Sequence, residues 1–207
     1  MIKKVGIFSV FLISLSLLLI LVPSIEFLTI SIFISTIGIV SFYIFLKKLS
    51  SLYKDDEIFR SFKKGTITIF FFMFFIDIII YLISIYFPNF ISLNSTLLII
   101  LPVINGIAFL YGAYLIKKSF DRIYLNSFIK SFKISGTVFF YGTLLGITTS
   151  ELFYFLLLFS SRNENITLGK LVLMVILPFY LIFILIITGL ISLGFLFYGI
   201  LKLPSNQ

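Results

Sequence analysis

The chain contains no cysteine, no histidine and no tryptophan. Without Cys and His there is no thiolate nucleophile, no imidazole general base, no catalytic triad and no zinc site built from those ligands. Disulfides are excluded too, so cysteine usage says nothing about redox compartment. The tryptophan part of an aromatic belt is missing, although 28 Phe and 11 Tyr are available for interfaces and helix contacts. Charge is scarce: 12% of the residues carry it, against about 25% in a soluble domain. What remains for chemistry is eight carboxylates, sixteen basic side chains and the hydroxyls.

What is abundant is apolar. Of 207 residues, 60% are hydrophobic, and the mean hydropathy is +1.22. That amounts to about 120 apolar residues, the requirement of six bilayer spans at roughly 20 residues each. Little of the chain is left for a soluble catalytic or nucleic-acid-binding domain. Uncharged apolar stretches fall at residues 5–22, 26–46, 66–87, 96–116, 135–159 and 171–200. They predict an all-α, polytopic transmembrane bundle of six spans forming a single domain. Pro23 and the pair Pro88-Asn89 close outer turns, because proline blocks helix continuation. The sixth stretch exceeds one crossing, so it tilts or continues beyond the bilayer.

Basic residues set the direction. Fourteen of the sixteen Lys and Arg fall on one side of this topology, leaving Arg162 and Lys170 on the other. Short loops rich in Lys and Arg stay cytoplasmic, which predicts a multi-pass cell-membrane protein with both termini inside. Net of Asp55, Asp56, Glu57 and Asp121, the inner face carries +10 and attracts anionic headgroups. Lys47, Lys48, Lys63, Lys64, Lys117, Lys118, Lys130 and Lys133 are the expected contacts. Membrane lipids are therefore the expected partners, with a membrane protein or a second copy of this chain open. Nucleic acid is not expected, since the charges sit beside membrane ends. Neither metal nor cofactor is expected: Asp55-Asp56-Glu57 point 100° apart on a helix, do not converge, and read as helix-start charge. Residues 1–24 also have the form of a secretory signal. The apolar stretch of about 18 residues, with Pro23 leading straight into another span, favours a retained helix. The sequons Asn94-Ser95-Thr96 and Asn165-Ile166-Thr167 fall on the predicted outside.

Sliding the sequence by 70 residues aligns its two inner connections without a gap. Lys47-Lys48 meets Lys117-Lys118, Arg60-Ser61-Phe62-Lys63 meets Lys130-Ser131-Phe132-Lys133, and Phe70-Phe71 meets Phe140-Tyr141. Spans 2–3 and 4–5 thus read as a parallel internal repeat about an axis along the membrane normal. In the second connection Phe120, Tyr124, Phe128 and Phe132 recur every four residues, with Ile123 beside them. This stripe predicts short amphipathic cytoplasmic helices that rest at the headgroups or extend the spans.

The segment Leu49-Ser50-Ser51-Leu52-Tyr53-Lys54-Asp55-Asp56-Glu57-Ile58-Phe59-Arg60 resembles the central loop of the membrane family named domain of unknown function 996. The stretch from Ser119-Phe120-Asp121 through Phe132-Lys133-Ile134-Ser135-Gly136 to Gly142 is similar to that family's second loop and following span. The resemblance spans roughly residues 42–146. It implies an uncharacterised membrane protein of mainly archaeal distribution, with some bacterial members, and carries over no catalytic position.

Polar groups within spans are costly, about 2.5–3.5 kcal/mol for a charge on insertion scales, so each is a functional candidate. Asp77 lies at the midplane of span 3, with Tyr81 one turn beyond on the same face. Glu151 lies in span 5, and Asn105 near the midplane of span 4, between Pro102 and Gly106. Either Asp77, Asn105 and Glu151 share a cavity and bind a proton or cation, or Asp77 is neutral and holds helices together. Gly142-x-x-x-Gly146 has the small-residue spacing of close helix packing, inside the bundle or in a dimer. The leading reading is a non-enzymatic integral membrane protein with a structural, lipid-associated or interaction role. The alternative is a small proton- or cation-coupled transporter or channel using Asp77 and Glu151.

Overall fold

The computed structural model describes residues 2–22, 24–86, 95–161 and 168–204; their side chains are described for 2–22, 24–72, 78, 103–149 and 185–204. These residues form six α-helices and no strand: α1 (Ile2–Ile20), α2 (Ile25–Tyr53), α3 (Asp56–Tyr86), α4 (Ser95–Ser127), α5 (Lys130–Ser161) and α6 (Leu168–Leu201). Each packs against its neighbours in sequence, and α6 returns to α1, so the helices close into a ring. Among the described residues α1 and α2 are long and apolar enough to cross a membrane, and residues Leu185–Leu201 of α6 form a shorter apolar helix.

The helices run past the charge-free stretches at their basic ends. Apolar windows stop where lysine begins, but Lys, Arg and Glu are good helix formers and do not end a helix. At 31 to 34 residues, α3 to α6 are about 46–51 Å long, against a hydrocarbon core of about 30 Å. The expected short amphipathic helices are therefore not separate elements among the described residues. They are the continuing ends of α2, α3, α4 and α5.

Two tight turns join these ends. Lys54 closes α2 in the left-handed region (φ 52°), and the N–H groups of Lys54 and Asp55 return to the carbonyls of Ser51 and Ser50 at 3.3 and 3.1 Å. Phe128 does the same for α4 (φ 57°), its N–H donating to Tyr124 at 2.7 Å. The turn swings Phe128 out of the predicted stripe to 81% exposure, while Phe120, Ile123 and Phe132 stay buried.

The main described core lies at this end of the bundle. Phe42, Phe45, Leu46 and Leu49 of α2 meet Ile58 and Phe62 of α3, Phe120 and Ile123 of α4, Phe132 of α5 and Ile200 of α6. Phe42 packs edge-on to Phe62 and Phe120, at centroid distances of 5.2 and 6.4 Å. Lys3 ties the start of α1 to the end of α6 by donating to the carbonyls of Leu201 and Leu203, which suits a cation at a helix C-terminus. Both termini and both basic connections thus share one end.

Small residues set the helix spacing. A Cβ on Gly65 would lie 2.6 Å from the carbonyl oxygen of Gly112, and one on Gly112 would lie 2.8 Å from that of Gly65. The backbones of α3 and α4 therefore touch. Gly142 and Gly146 face Thr188 and Leu185 of α6, which places that spacing inside the bundle. Ser192 of α6 donates to the carbonyl of Ser135 at 3.0 Å, and the two buried hydroxyls lie 3.1 Å apart.

Candidate functional site

Of the residues singled out within the spans, Asn105 is described. It is half-buried on α4 and lines a cavity of about 410 Å³ among α3, α4, α5 and α6, walled by Ile69, Phe109, Phe139, Thr143 and Leu185. Its Oδ1 is buried and has no hydrogen-bond partner. An unpaired buried acceptor costs about 1–3 kcal/mol. Thr143 does not relieve it, since its hydroxyl donates to the carbonyl of Phe139 at 2.8 Å. Asp77 and Tyr81 are on α3 and Glu151 on α5; their side chains lie outside the described residues.

A second polar cluster locks the two inner connections together. Asp55 caps α3, its Oδ1 accepting the N–H of Glu57 at 3.1 Å, and its Oδ2 accepts from Asn126 at 2.9 Å. Lys118 reaches Glu57 at 3.2 Å, and the buried hydroxyl of Ser119 donates to the carbonyl of Ile58 at 2.7 Å. The hydrogen bond from Lys118, then its charge, holds the Glu57 carboxyl below the ordinary glutamate range, with smaller help from Ser61 and Arg60. Tyr53 is shifted the other way: burial raises its hydroxyl above the ordinary tyrosine value, against a lowering hydrogen bond with Ser127. Asp55-Asp56-Glu57 is thus helix-start charge that also clamps α4. Lys117 pairs with Asp121 one turn on, through Oδ2, while Oδ1 of Asp121 is buried without a partner.

The eight lysines expected at headgroups divide accordingly. Lys47, Lys63, Lys64, Lys130 and Lys133 are exposed, Lys133 lying over the ring of Tyr124 at 5.4 Å. Lys48, Lys117 and Lys118 are half-buried, the last two in ion pairs. The spacing of Lys117 and Asp121 was legible as an i,i+4 pair. The partnership of Lys118 with Glu57 spans 61 positions, and no periodicity announces it.

One curated relative stands beside this geometry. The chain is similar to the uncharacterized protein MJ1644 of Methanocaldococcus jannaschii, 30% identical over 115 residues, which are 52% of this chain and 63% of the relative. The matched region thus spans less than two thirds of that relative's length. No family model matches the chain. No solved structure matches it either.

Proposed function

We propose that the chain is a multi-pass membrane protein of six spans, with its termini and basic end in the cytoplasm, and that it serves a structural or lipid-associated role rather than an enzymatic one. The observation that carries this reading is the adjacency of exposed lysines to exposed apolar helix faces. Lys47 lies beside Ile44 and Val40; Lys63 and Lys64 lie beside Ile67, Phe70 and Phe71; Lys130 and Lys133 lie beside Ile134. Apolar faces of that kind suit hydrocarbon, and lysines at their edge suit anionic headgroups. The most apolar windows of α1 and α2 bury only 22% and 17% of their residues in the bundle, too little for core helices of a soluble protein.

Two related hairpins, α2–α3 and α4–α5, belong to the same proposal, as does kinship with domain of unknown function 996. In support, burial recurs 70 residues on: Phe45 with Leu115, Leu46 with Ile116, Ser61 with Ser131, Phe62 with Phe132. The left-handed residues Lys54 and Phe128 are 74 apart. The turn thus comes four residues, about one helical turn, later in the second connection, which is no longer than the first, and the buried faces on either side stay in register.

The test is the thermal midpoint of the purified chain in nanodiscs of anionic or zwitterionic lipid. Anionic lipid should stabilise the wild type more, and K63Q/K64Q should lose part of that difference, each lysine contributing about 1 kcal/mol. Equal midpoints in both lipids would overturn the lipid role. The transport alternative is decided separately, by flux in proteoliposomes: equal flux in wild type and D77N would exclude a mechanism coupled through that carboxylate.

A further inference from the structure

The seam between α2 and α3 is closed near their shared turn. There Tyr43 of α2 stands edge-on to Phe59 and Phe62 of α3, with ring centroids 5.9 and 5.5 Å apart. Farther from the turn, between Ile25 and Ser41, the buried residues of α2 are Ser31 and Gly38, and both face α1. Ser31 donates to the carbonyl of Ser16 at 2.8 Å, and a Cβ on Gly38 would lie 2.9 Å from the Ile13 side chain. Beyond Tyr43, then, α2 follows α1 and leaves an exposed apolar flank beside α3.

Two lysines stand at the closed end of this seam. Lys47 comes one turn after Tyr43, and Lys63 one turn after Phe59, so each shares a face with a residue of the seam. Tyr53 ends α2 six residues after Lys47, and Asp56 opens α3 seven residues before Lys63. At 1.5 Å per residue both lysines are about 10 Å from the turn. Both are exposed, and neither makes an ion pair among the described residues. Lys117 and Lys118 differ in this respect, being paired with Asp121 and Glu57. The acid on the Lys63 face, Asp56, is itself about 10 Å nearer the turn. Away from the turn the same faces carry Val40, two turns before Lys47, and Ile67, one turn after Lys63, at 55% and 53% exposure. Two uncompensated cations at the head of an apolar flank suit an amphiphile with a negative head. A soluble phosphate would answer the lysines and leave the flank bare, and a zwitterionic lipid would set its own cation against them.

We propose that the α2–α3 seam holds one anionic phospholipid, its phosphate accepting from Lys47 and Lys63 and an acyl chain lying along Val40 and Ile67. Phosphate oxygens accept strongly from ammonium donors, and basic pockets between membrane helices bind such headgroups. The site rests on the membrane and lipid reading proposed above, and narrows it from a basic face to one pair of helices.

The purified full chain in detergent is titrated with phosphatidylglycerol, with phosphatidylcholine of the same chains, or with glycerol phosphate, and the retained ligand is counted by native mass spectrometry. One equivalent of phosphatidylglycerol should be held ahead of both others. Lys47→Gln and Lys63→Gln should each weaken its binding about fivefold. Lys64→Gln, about 100° around α3 from Lys63, and Lys130→Gln, at the start of α5, remove the same charge away from the seam and should leave binding nearly unchanged. With the wild type, which needs no variant to fold, phosphatidylglycerol bearing a diazirine in its chain should label peptides of α2 and α3 on photolysis. No loss in either seam variant, an equal loss in all four variants, or labelling confined to other helices would overturn the site and leave the lipid reading standing. Glycerol phosphate held as well as the lipid would overturn the acyl contact. Equal retention of the two lipids by the wild type would overturn the lipid reading itself.

Discussion

Replacing Gly65 by alanine probes the contact that sets the distance between α3 and α4. The new Cβ would lie 2.6 Å from the carbonyl oxygen of Gly112 and 3.1 Å from the amide nitrogen of Ile116. The first falls about 0.8 Å short of the 3.4 Å at which ordinary contact begins. The Ile116 side chain, with Cγ1 at 3.0 Å, can turn aside, but both of these atoms belong to helix backbone, so the two helices must part. Overpacking of this kind costs about 1–3 kcal/mol. Alanine also returns about 1 kcal/mol of helix propensity, which hides part of the effect. Gly194→Ala supplies the control, because nothing lies within 4 Å of its added Cβ. The propensity gain is common to both variants, so the difference between them is the packing cost. For a chain of this size 1 kcal/mol moves the thermal midpoint by about 2–4 °C. Measured in one detergent at one scan rate, Gly65→Ala should melt at least ~2 °C below Gly194→Ala. Equal midpoints would refute backbone contact between α3 and α4.

The Glu57–Lys118 pair makes stability depend on pH. Because the folded carboxyl titrates below its unfolded counterpart, its contribution is full above the ordinary glutamate range and is lost as pH falls from that range through the lower folded value. The gap in midpoint between wild type and Glu57→Gln should therefore be present at neutral pH and close on acidification; a gap that widens in acid would contradict the pairing. At the α5–α6 contact, Ser192→Ala removes both the bond to the Ser135 carbonyl and the hydroxyl contact, whereas Ser135→Ala removes only the latter. Ser192→Ala should cost about 1 kcal/mol and exceed the cost of Ser135→Ala, a ranking that denaturation of the two variants tests.

Much of the helical framework was legible because apolar stretches and proline breaks are local signals. All six expected segments lie within or across helices of the described chain. Of the two outcomes expected for the amphipathic stripe, the structure has the extension of the spans: α4 runs through Lys117, Lys118 and Arg122 to Ser127. The exposure of Phe128 was not legible, because a four-residue spacing assumes a continuous helix and the left-handed turn interrupts it there. For the candidate site, Asn105 stood out as a polar residue in an apolar run. Its cavity depends on how Ile69, Phe139 and Leu185 approach from three other helices, which one-dimensional pattern does not carry. The same holds for the clamp of Asp55 by Asn126, 71 positions away.

The central claim, a membrane bundle with its basic end inside the cell, is met most directly by cysteine accessibility. The chain has no native cysteine, so single replacements report without background. Val22 lies exposed at the turn between α1 and α2, and Lys64 lies exposed at the basic end. In intact cells a membrane-impermeant maleimide should label Val22→Cys at once and Lys64→Cys only after permeabilisation. Labelling of Lys64→Cys in intact cells, with Val22→Cys protected, would reverse the orientation; labelling of both would contradict the bundle's passage through the membrane.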